Sequence, residues 1–167
     1  MKVKIGINGL GRIGRMVLRS IFEEKYKNIK INHINNRADI KTACDLIKRD
    51  SIHGKFKGKV SVKNNKLIID GNKITYSQET DLNKITWKKY NVDIVLECTG
   101  RFNSKKKLIS HIKNGAKKVI VSAPCKGADK TIVYGVNHKN ILARDKIISA
   151  ASCTTNCLAP VVYVLNN

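Results

Sequence analysis

The sequence Gly-Leu-Gly-Arg-Ile-Gly at residues 9–14 is the pattern G-x-G-x-x-G, and it decides the fold that we predict. In dinucleotide-binding folds the first glycine makes a tight turn and the second lets the backbone approach a pyrophosphate. The third lets a helix pack closely on a strand, with the helix N-terminus facing the anion. The alternative is a glycine turn that binds no ligand, so the flanking sequence has to discriminate.

The flanking sequence favours a dinucleotide-binding loop. Residues 3–8 alternate as a strand, and residues 12–25 predict a helix with one apolar face, formed by Ile13, Met16, Val17 and Ile21. Residues 29–35 are again extended. A second helix follows with Asp39 as its predicted N-cap and with apolar residues at Ile40, Ala43, Cys44 and Ile47. This order of strand, helix, strand and helix predicts a parallel sheet.

The rest of the chain continues this alternation with one interruption. Residues 59–62, 66–70 and 73–76 surround an Asp-Gly-Asn turn and predict a small antiparallel insertion. Parallel-type strands are predicted at 92–96, 118–121, 131–134 and 146–149, and a helix at 104–113 that Gly115 ends. We therefore predict an α/β fold with a doubly wound, mostly parallel sheet, and a dinucleotide-binding domain over residues 1–151.

Composition limits the possible partners. The 167 residues are 42% hydrophobic, which is enough for one sizeable core. The net charge of +21 raises nucleic acid or an anionic membrane as a partner, but lysines are spread almost evenly along the chain, which favours a solvated basic surface. No apolar run reaches the roughly 18 to 20 residues of a membrane span, and no signal-peptide core follows Met1, so we expect a cytoplasmic protein.

The cysteines point to one reactive thiol. Five cysteines without a C-x-x-C pair argue against a disulfide framework or a zinc site, and we predict no bound metal. Cys153 lies between Ser152 and Thr154 where a strand is expected to pass into a helix, and a helix N-terminus favours the nucleophilic thiolate. The neighbouring hydroxyls could cap the helix or bind a phosphate. Cys157, one turn further on, is expected to be a small packed residue.

Four stretches of the chain together resemble the phosphorylating glyceraldehyde-3-phosphate dehydrogenases. They are IGINGLGRIGR at 5–15, DSIHG at 50–54, ECTG at 97–100 and SCTTNCLAP at 152–160, in the order and with closely the spacing of that family. The cysteine stretch is far more specific than the glycine motif. The resemblance extends from end to end of the chain.

The resemblance implies a reaction and a set of site residues. The thiolate of Cys153 would attack an aldehyde, hydride would pass to a nicotinamide, and inorganic phosphate would cleave the resulting thioester to an acyl phosphate. Ser152 and Thr154 would hold phosphate. The implied cofactor-binding residues are Asn8, Gly9, Gly11, Arg12, Ile13, Gly14, Asn36, Arg37, Thr99, Gly100, Phe102, Ser122 and Ala123. The implied partners are a phosphorylated aldehyde and inorganic phosphate, and the implied full-length assembly is a homotetramer.

The sequence also departs from the family pattern. The family continues through a second domain of similar size, of which residues 152–167 would be the first helix, and that domain supplies an activating histidine. None of His33, His53, His111 and His138 stands at the matching position, so we expect this chain alone to lack general acid–base help worth about 10² to 10⁴ in rate. In addition, Ala150 replaces a usual asparagine, and Thr80 replaces an arginine near the adenine.

The residue at the end of the second strand usually determines whether such a fold prefers NAD or NADP. There the chain has Asn36 where the family usually has an aspartate that bonds the ribose hydroxyls and repels a 2′-phosphate. An amide carries no charge to reject phosphate, and the guanidinium of Arg37 could bind it. We therefore predict NADP, or either dinucleotide, rather than NAD alone, against the alternative that Arg37 merely points to solvent.

Two other functions stay open from the sequence. The basic charge and the missing histidine would permit a non-catalytic nucleotide- or RNA-binding module of the same fold, although nucleic acid is the less favoured partner. Erythrose-4-phosphate dehydrogenase is a close relative of the family, and the substrate is chosen largely by the second domain. The sequence does not separate these two substrates.

Overall fold

The computed structural model describes residues 2–166 and has eleven strands and four α-helices in that range. The helices are α1 (Arg12–Glu23), α2 (Ile40–Lys48), α3 (Lys105–Lys113) and α4 (Cys153–Leu165). The strands are β1 (Val3–Asn8), β2 (Ile29–Asn35), β3 (Arg49–Asp50), β4 (Gly54–Lys55), β5 (Val60–Lys63), β6 (Lys66–Ile69), β7 (Asn72–Ser77), β8 (Ile94–Glu97), β9 (Lys118–Val121), β10 (Lys130–Thr131) and β11 (Ile147–Ser149). Short 3₁₀ turns cover Leu82–Lys84, Trp87–Tyr90 and His138–Asn140.

Nine strands form one sheet in the order β10, β11, β9, β8, β1, β2, β7, β6, β5. Neighbours from β10 to β7 are parallel, whereas β7, β6 and β5 pair antiparallel. The chain leaves β1 toward β2 on one side and later returns on its other side with β8. Ligands of open α/β sheets bind at such a reversal, outside the carboxyl ends of the strands. The predicted fold class is confirmed.

Two apolar clusters fill the molecule. The first joins the β1, β2, β6 and β7 side chains to α1 and α2, with Leu18 and Ile47 fully buried. The second joins β8, β9 and β11 to α3 around Trp87 and Leu108, which are also fully buried. The cap of α2 follows the prediction, since the Asp39 carboxylate accepts the backbone N–H groups of Lys41 and Thr42.

Three predicted elements differ in extent or in context. Helix α1 ends at Glu23 rather than at residue 25 because Lys25 takes a left-handed φ of 52°. The strand predicted at 131–134 is only Lys130–Thr131, because the Asn137 side chain accepts the Val133 N–H at 2.7 Å and closes a turn there. The predicted antiparallel insertion is confirmed as β5, β6 and β7, and β7 in addition pairs parallel with β2, so that the insertion extends the main sheet.

Membrane-spanning helices are absent from the part of the chain that the structure describes, because none of its helices is both long and apolar enough.

Candidate functional site

A cleft of about 230 Å³ lies at the carboxyl ends of β1, β2 and β8, where the strand order reverses. The strand ends bring together residues that are far apart in the sequence, because parallel strands present their carboxyl ends at one edge. The lining residues are Asn8, Gly9, Gly11, Asn35, Asn36, Arg37, Glu79, Thr80, Cys98, Thr99 and Arg101.

The three glycines of the loop have different surroundings. Gly9 has a φ of 94°, and a Cβ there would lie 2.9 Å from the backbone nitrogen of Thr99. A Cβ on Gly14 would lie 2.0 Å from the carbonyl oxygen of Gly9, so this position allows α1 to pack under the loop. A Cβ on Gly11 would meet no atom within 4 Å. Gly11 is the N-cap of α1 and lines the cleft, so the space beside it is open to a ligand.

The side chain of Asn36 ties the glycine loop to the neighbouring strand. Its Oδ1 accepts the Leu10 N–H at 3.0 Å, and its Nδ2 donates to the Tyr76 hydroxyl at 3.1 Å. The Tyr76 hydroxyl in turn donates to the carbonyl of Ala38 at 2.7 Å. Arg37 is exposed beside Asn36, and its guanidinium forms no hydrogen bond or ion pair with residues 2–166. Amide and guanidinium donors therefore both border this end of the cleft.

The structure brings only some of the predicted cofactor residues to the cleft. Asn8, Gly9, Gly11, Asn36, Arg37 and Thr99 line it. The other predicted residues, which lie outside its lining, are Arg12, Ile13, Gly14, Gly100, Phe102, Ser122 and Ala123.

Several of these outlying residues have other contacts. Arg12 is mostly exposed on α1, with a long ion pair of 3.8 Å to Asp50. Phe102 packs against the second apolar cluster. The Ser122 hydroxyl donates to the carbonyl of Glu97 at 3.2 Å, and the Ala123 carbonyl accepts the Ser149 hydroxyl at 2.8 Å, so both hold the carboxyl ends of neighbouring strands together.

Cys153 is the first residue of α4, at the helix N-terminus that the sequence predicts. The chain turns sharply there because Ala151 takes a left-handed φ of 61°, a conformation that costs an alanine about 1 to 2 kcal/mol. Asn156 braces the turn, since its Nδ2 donates to the carbonyls of Ala150 at 2.7 Å and Ser152 at 2.8 Å. The Ser152 hydroxyl caps the helix by accepting the Thr155 N–H at 2.9 Å.

The thiols differ in access. Cys153 is exposed, whereas Cys98 is buried at the edge of the cleft, and burial raises the pKa of its thiol to about 11. A thiol held protonated in this way is a poor nucleophile. The prediction that Cys157 is a packed residue is wrong, because Cys157 is exposed on α4. Most of that helix is exposed, with Leu165 at 81%.

The cleft also contains residues that sequence reasoning did not assign to it. Asn35 ends β2, and its Nδ2 donates to Asn8 Oδ1 at 2.8 Å. Glu79 and Arg101 come from loops after β7 and β8, and only the spatial order of the strands places them beside the glycine loop. Thr80, which the family resemblance places near the adenine, lines the cleft beside Glu79. Glu97 lies directly beneath the cleft and is 1% exposed. A polar side chain at the carboxyl end of a predicted parallel strand is the signal that could have singled out Asn35 and Glu97.

Comparison with known proteins identifies a family over most of the chain. Residues 3–105 match the family model described as glyceraldehyde 3-phosphate dehydrogenase, NAD binding domain. A glyceraldehyde-3-phosphate dehydrogenase of Zymomonas mobilis is 49% identical over 166 residues, which are 99% of this chain and 49% of the relative. That of Mycoplasma pneumoniae is 51% identical over 164 residues, or 98% of this chain and 48% of the relative. The chain spans about half the length of these curated relatives.

Proposed function

The chain belongs to the glyceraldehyde 3-phosphate dehydrogenase family, and from this membership we propose that the complete protein oxidises glyceraldehyde 3-phosphate to an acyl phosphate. One observation carries the proposal. Cys153 follows the carboxyl end of β11, and the glycine loop follows the carboxyl end of β1, so both lie at the same edge of one parallel sheet. A thiol nucleophile and a dinucleotide-type cleft at one edge suit oxidation through a covalent intermediate.

The backbone of the glycine loop leaves space in the cleft for a dinucleotide. The open space beside Gly11 lies at the N-terminus of α1, where unpaired N–H groups and the helix dipole favour a pyrophosphate. The side chains of Asn8 and Thr99 form the floor beside this space. When bound, the nicotinamide supplies a hydride acceptor. The chain's own residues bind and orient it.

The thiol accounts for the covalent steps. The sulfur of Cys153 adds to the aldehyde carbon to form a hemithioacetal. Loss of hydride from that carbon, with transfer of the hydroxyl proton to a general base, leaves a thioester, and the two electrons leave the substrate with the hydride. An oxygen of inorganic phosphate then attacks the thioester carbonyl, the carbon–sulfur bond breaks, and the thiolate is restored. Thr154 is exposed beside the sulfur, and we assign it and Ser152 to phosphate, although Ser152 also caps α4.

Three of the four histidines of this chain have their ring nitrogens bonded to groups other than that thiol. His33 and His111 are fully buried, and both ring nitrogens of each bond to other side chains. His138 accepts the Gly135 N–H at 3.0 Å. We therefore propose that the general base comes from the half of the family's length that this chain does not span, and that residues 152–167 open that catalytic domain. The homotetramer belongs to the same proposal.

For the cofactor we propose NADP, or either dinucleotide. The support is the amide of Asn36 in place of a carboxylate and the unpaired guanidinium of Arg37 at the same end of the cleft. A carboxylate would repel a 2′-phosphate, whereas a planar guanidinium can bind it through two donors.

The test is a direct assay of the complete protein with glyceraldehyde 3-phosphate, inorganic phosphate and each dinucleotide in turn. We expect reduction of the dinucleotide that requires phosphate for multiple turnovers, and a covalent acyl adduct on Cys153 by mass spectrometry when phosphate is omitted. Erythrose 4-phosphate serves as the competing substrate, and a higher kcat/KM for it would contradict the substrate assignment. Absence of any acyl adduct would contradict the mechanism.

A further inference from the structure

A line of hydrogen-bonded polar side chains runs beneath the cleft and crosses the sheet from α3 to β7. Its members are His111, Glu97, Asn8, Asn35 and Ser77, of which the first four are at most 3% exposed. Asn8 and Asn35 also line the cleft, whereas Glu97 does not. Buried polar groups need partners of matching type, so the direction of each hydrogen bond in such a line constrains the next.

The carboxylate oxygens of Glu97 are the acceptors in all four hydrogen bonds that its side chain forms. Its Oε1 accepts the Thr99 N–H at 2.9 Å and the Thr99 hydroxyl, and its Oε2 accepts Asn8 Nδ2 at 2.6 Å and His111 Nε2 at 3.0 Å. An ionised carboxylate can accept all four bonds.

The imidazole of His111 cannot reverse its bond to Glu97. The indole Nε1–H of Trp87 donates to His111 Nδ1 at 2.8 Å, and an indole nitrogen is a donor only. The neutral ring therefore carries its proton on Nε2, which faces Glu97. Trp87 and His111 are both fully buried, so no solvent is available to replace these partners.

The amide of Asn8 cannot reverse its bond either. Asn35 is oriented by the backbone of Glu79, because its Oδ1 accepts the Glu79 N–H at 2.8 Å and its Nδ2 donates to the Glu79 carbonyl at 2.9 Å. That orientation directs a second N–H of Asn35 to Asn8 Oδ1 at 2.8 Å. The remaining polar atom of Asn8 is its Nδ2, which donates to Glu97.

We propose that Glu97 is a positioning residue for the dinucleotide cleft, and that its carboxylate fixes the floor of the cleft through Asn8 and Thr99. Thr99 transmits the effect further, since its hydroxyl oxygen accepts the N–H of Arg101 at 3.2 Å in the cleft wall. A glutamine of the same shape would place its NH₂ group either against the donors of Asn8 and His111 or against the backbone N–H of Thr99, so one donor is left facing a donor in both orientations. The inference rests on the proposed dinucleotide binding.

The test compares Glu97→Gln with Ser77→Ala in the complete protein. Ser77 donates to Asn35 Oδ1 at 2.7 Å, but Glu79 still orients Asn35 without it, which makes Ser77 a control from the same line. By calorimetry we expect Glu97→Gln to weaken dinucleotide binding at least tenfold and Ser77→Ala to change it less than threefold. Binding by Glu97→Gln within threefold of the parent, or an equal loss in both variants, would overturn the proposal.

A second variant keeps the inference testable if Glu97→Gln does not fold. In Trp87→Phe the indole donor is gone, and Glu97 alone selects the His111 tautomer. Nitrogen-detected NMR of the imidazole is expected to show the Nε2–H form still, and an Nδ1–H form would overturn the assignment of Glu97 as acceptor. Failure of the parent protein to bind either dinucleotide would instead contradict the proposed function, while the tautomer measurement would still decide the role of Glu97.

Discussion

The dinucleotide-type cleft and the thiol helix α4 lie at the same edge of the sheet but are built differently. At the cleft, Asn8 is 1% exposed, and its amide bonds to the side chains of Glu97 and Asn35 on the two neighbouring strands. On α4, Cys153 is exposed, and among residues 2–166 its thiol contacts only the Thr154 hydroxyl, at 4.0 Å. Binding and chemistry should therefore respond to different substitutions.

The largest effect is expected from Cys153→Ser. A serine hydroxyl is a much weaker nucleophile at neutral pH, so the complete protein should lose at least about 10³-fold in turnover. Dinucleotide affinity, measured by calorimetry, should stay within threefold of the parent, because Cys153 does not line the cleft.

Cys157→Ser is the matched control, since Cys157 is also exposed and lies one turn further along the same helix. It should retain turnover within about threefold of the parent. A Cys153→Ser enzyme with turnover within tenfold of the parent would remove the thiol from the mechanism. Loss of dinucleotide affinity in the same variant would show that the two regions are not separable.

The two regions also differ in how far the sequence predicts them. The glycine spacing predicts the loop because Gly9 and Gly14 leave no room for a side chain, as the 2.0 Å approach of a Gly14 Cβ to the Gly9 carbonyl shows. The exposure of Cys157 is not predictable in this way, because α4 is apolar on several faces and its pattern selects none of them for burial. Likewise, Arg101 and Glu79 reach the cleft through the spatial order of strands, which local periodicity does not encode.

The next prediction concerns the pH dependence of folding stability, which we expect to come from the buried imidazole of His33. Burial, with a smaller contribution from the charge of Lys89, lowers the pKa of His33 from 6.5 to about 4. The unfolded chain therefore binds a proton below pH 6.5 that the folded protein refuses, so stability is complete above pH 6.5. It should fall by about 3 kcal/mol as the pH is lowered to 4 and level off below that.

Chemical denaturation at pH 7 and pH 4.5 would measure the loss of unfolding free energy. His33→Gln is the control. The glutamine amide can bond to the Thr75 and Ser77 hydroxyls that His33 contacts, and an amide does not titrate. Hydrogen bonds lower the pKa values of Asp50, Asp93 and Asp129, so these three carboxylates stay ionised in the folded protein over this range. If the unfolding free energy of the parent and of His33→Gln fell equally between pH 6.5 and 4.5, the loss of stability would not come from His33.

A smaller effect is expected from Gly11→Val, which tests the cleft alone. The added side chain would enter the open space beside the helix N-terminus, where we expect the pyrophosphate. Dinucleotide affinity should fall about 30-fold, which corresponds to about 2 kcal/mol. Reactivity of Cys153 toward iodoacetamide in the absence of dinucleotide should stay unchanged.

Gly14→Ala provides the contrast within the same loop. Its Cβ would collide with the Gly9 carbonyl, so this variant should lose folding stability, whereas Gly11→Val should melt within a few degrees of the parent. Calorimetry that finds unaltered dinucleotide binding in Gly11→Val would contradict the assignment of the loop.

The smallest effect is expected from Asn36→Asp, which changes the choice between the two dinucleotides. The substituted carboxylate keeps an oxygen for the Leu10 N–H, and the Tyr76 hydroxyl can turn its proton from the Ala38 carbonyl to the other oxygen, so the loop should hold its shape. The negative charge repels a 2′-phosphate, and the carboxylate oxygens accept hydrogen bonds from both ribose hydroxyls. The ratio of NAD to NADP affinity should therefore rise about tenfold relative to the parent, or about 1.4 kcal/mol. Arg37→Ala, which removes the neighbouring guanidinium, should weaken NADP binding and leave NAD binding unchanged. Paired titrations with both dinucleotides measure these ratios. A parent that already prefers NAD by more than tenfold, together with an unchanged ratio in Asn36→Asp, would mean that neither side chain reads the ribose and that Arg37 only faces solvent.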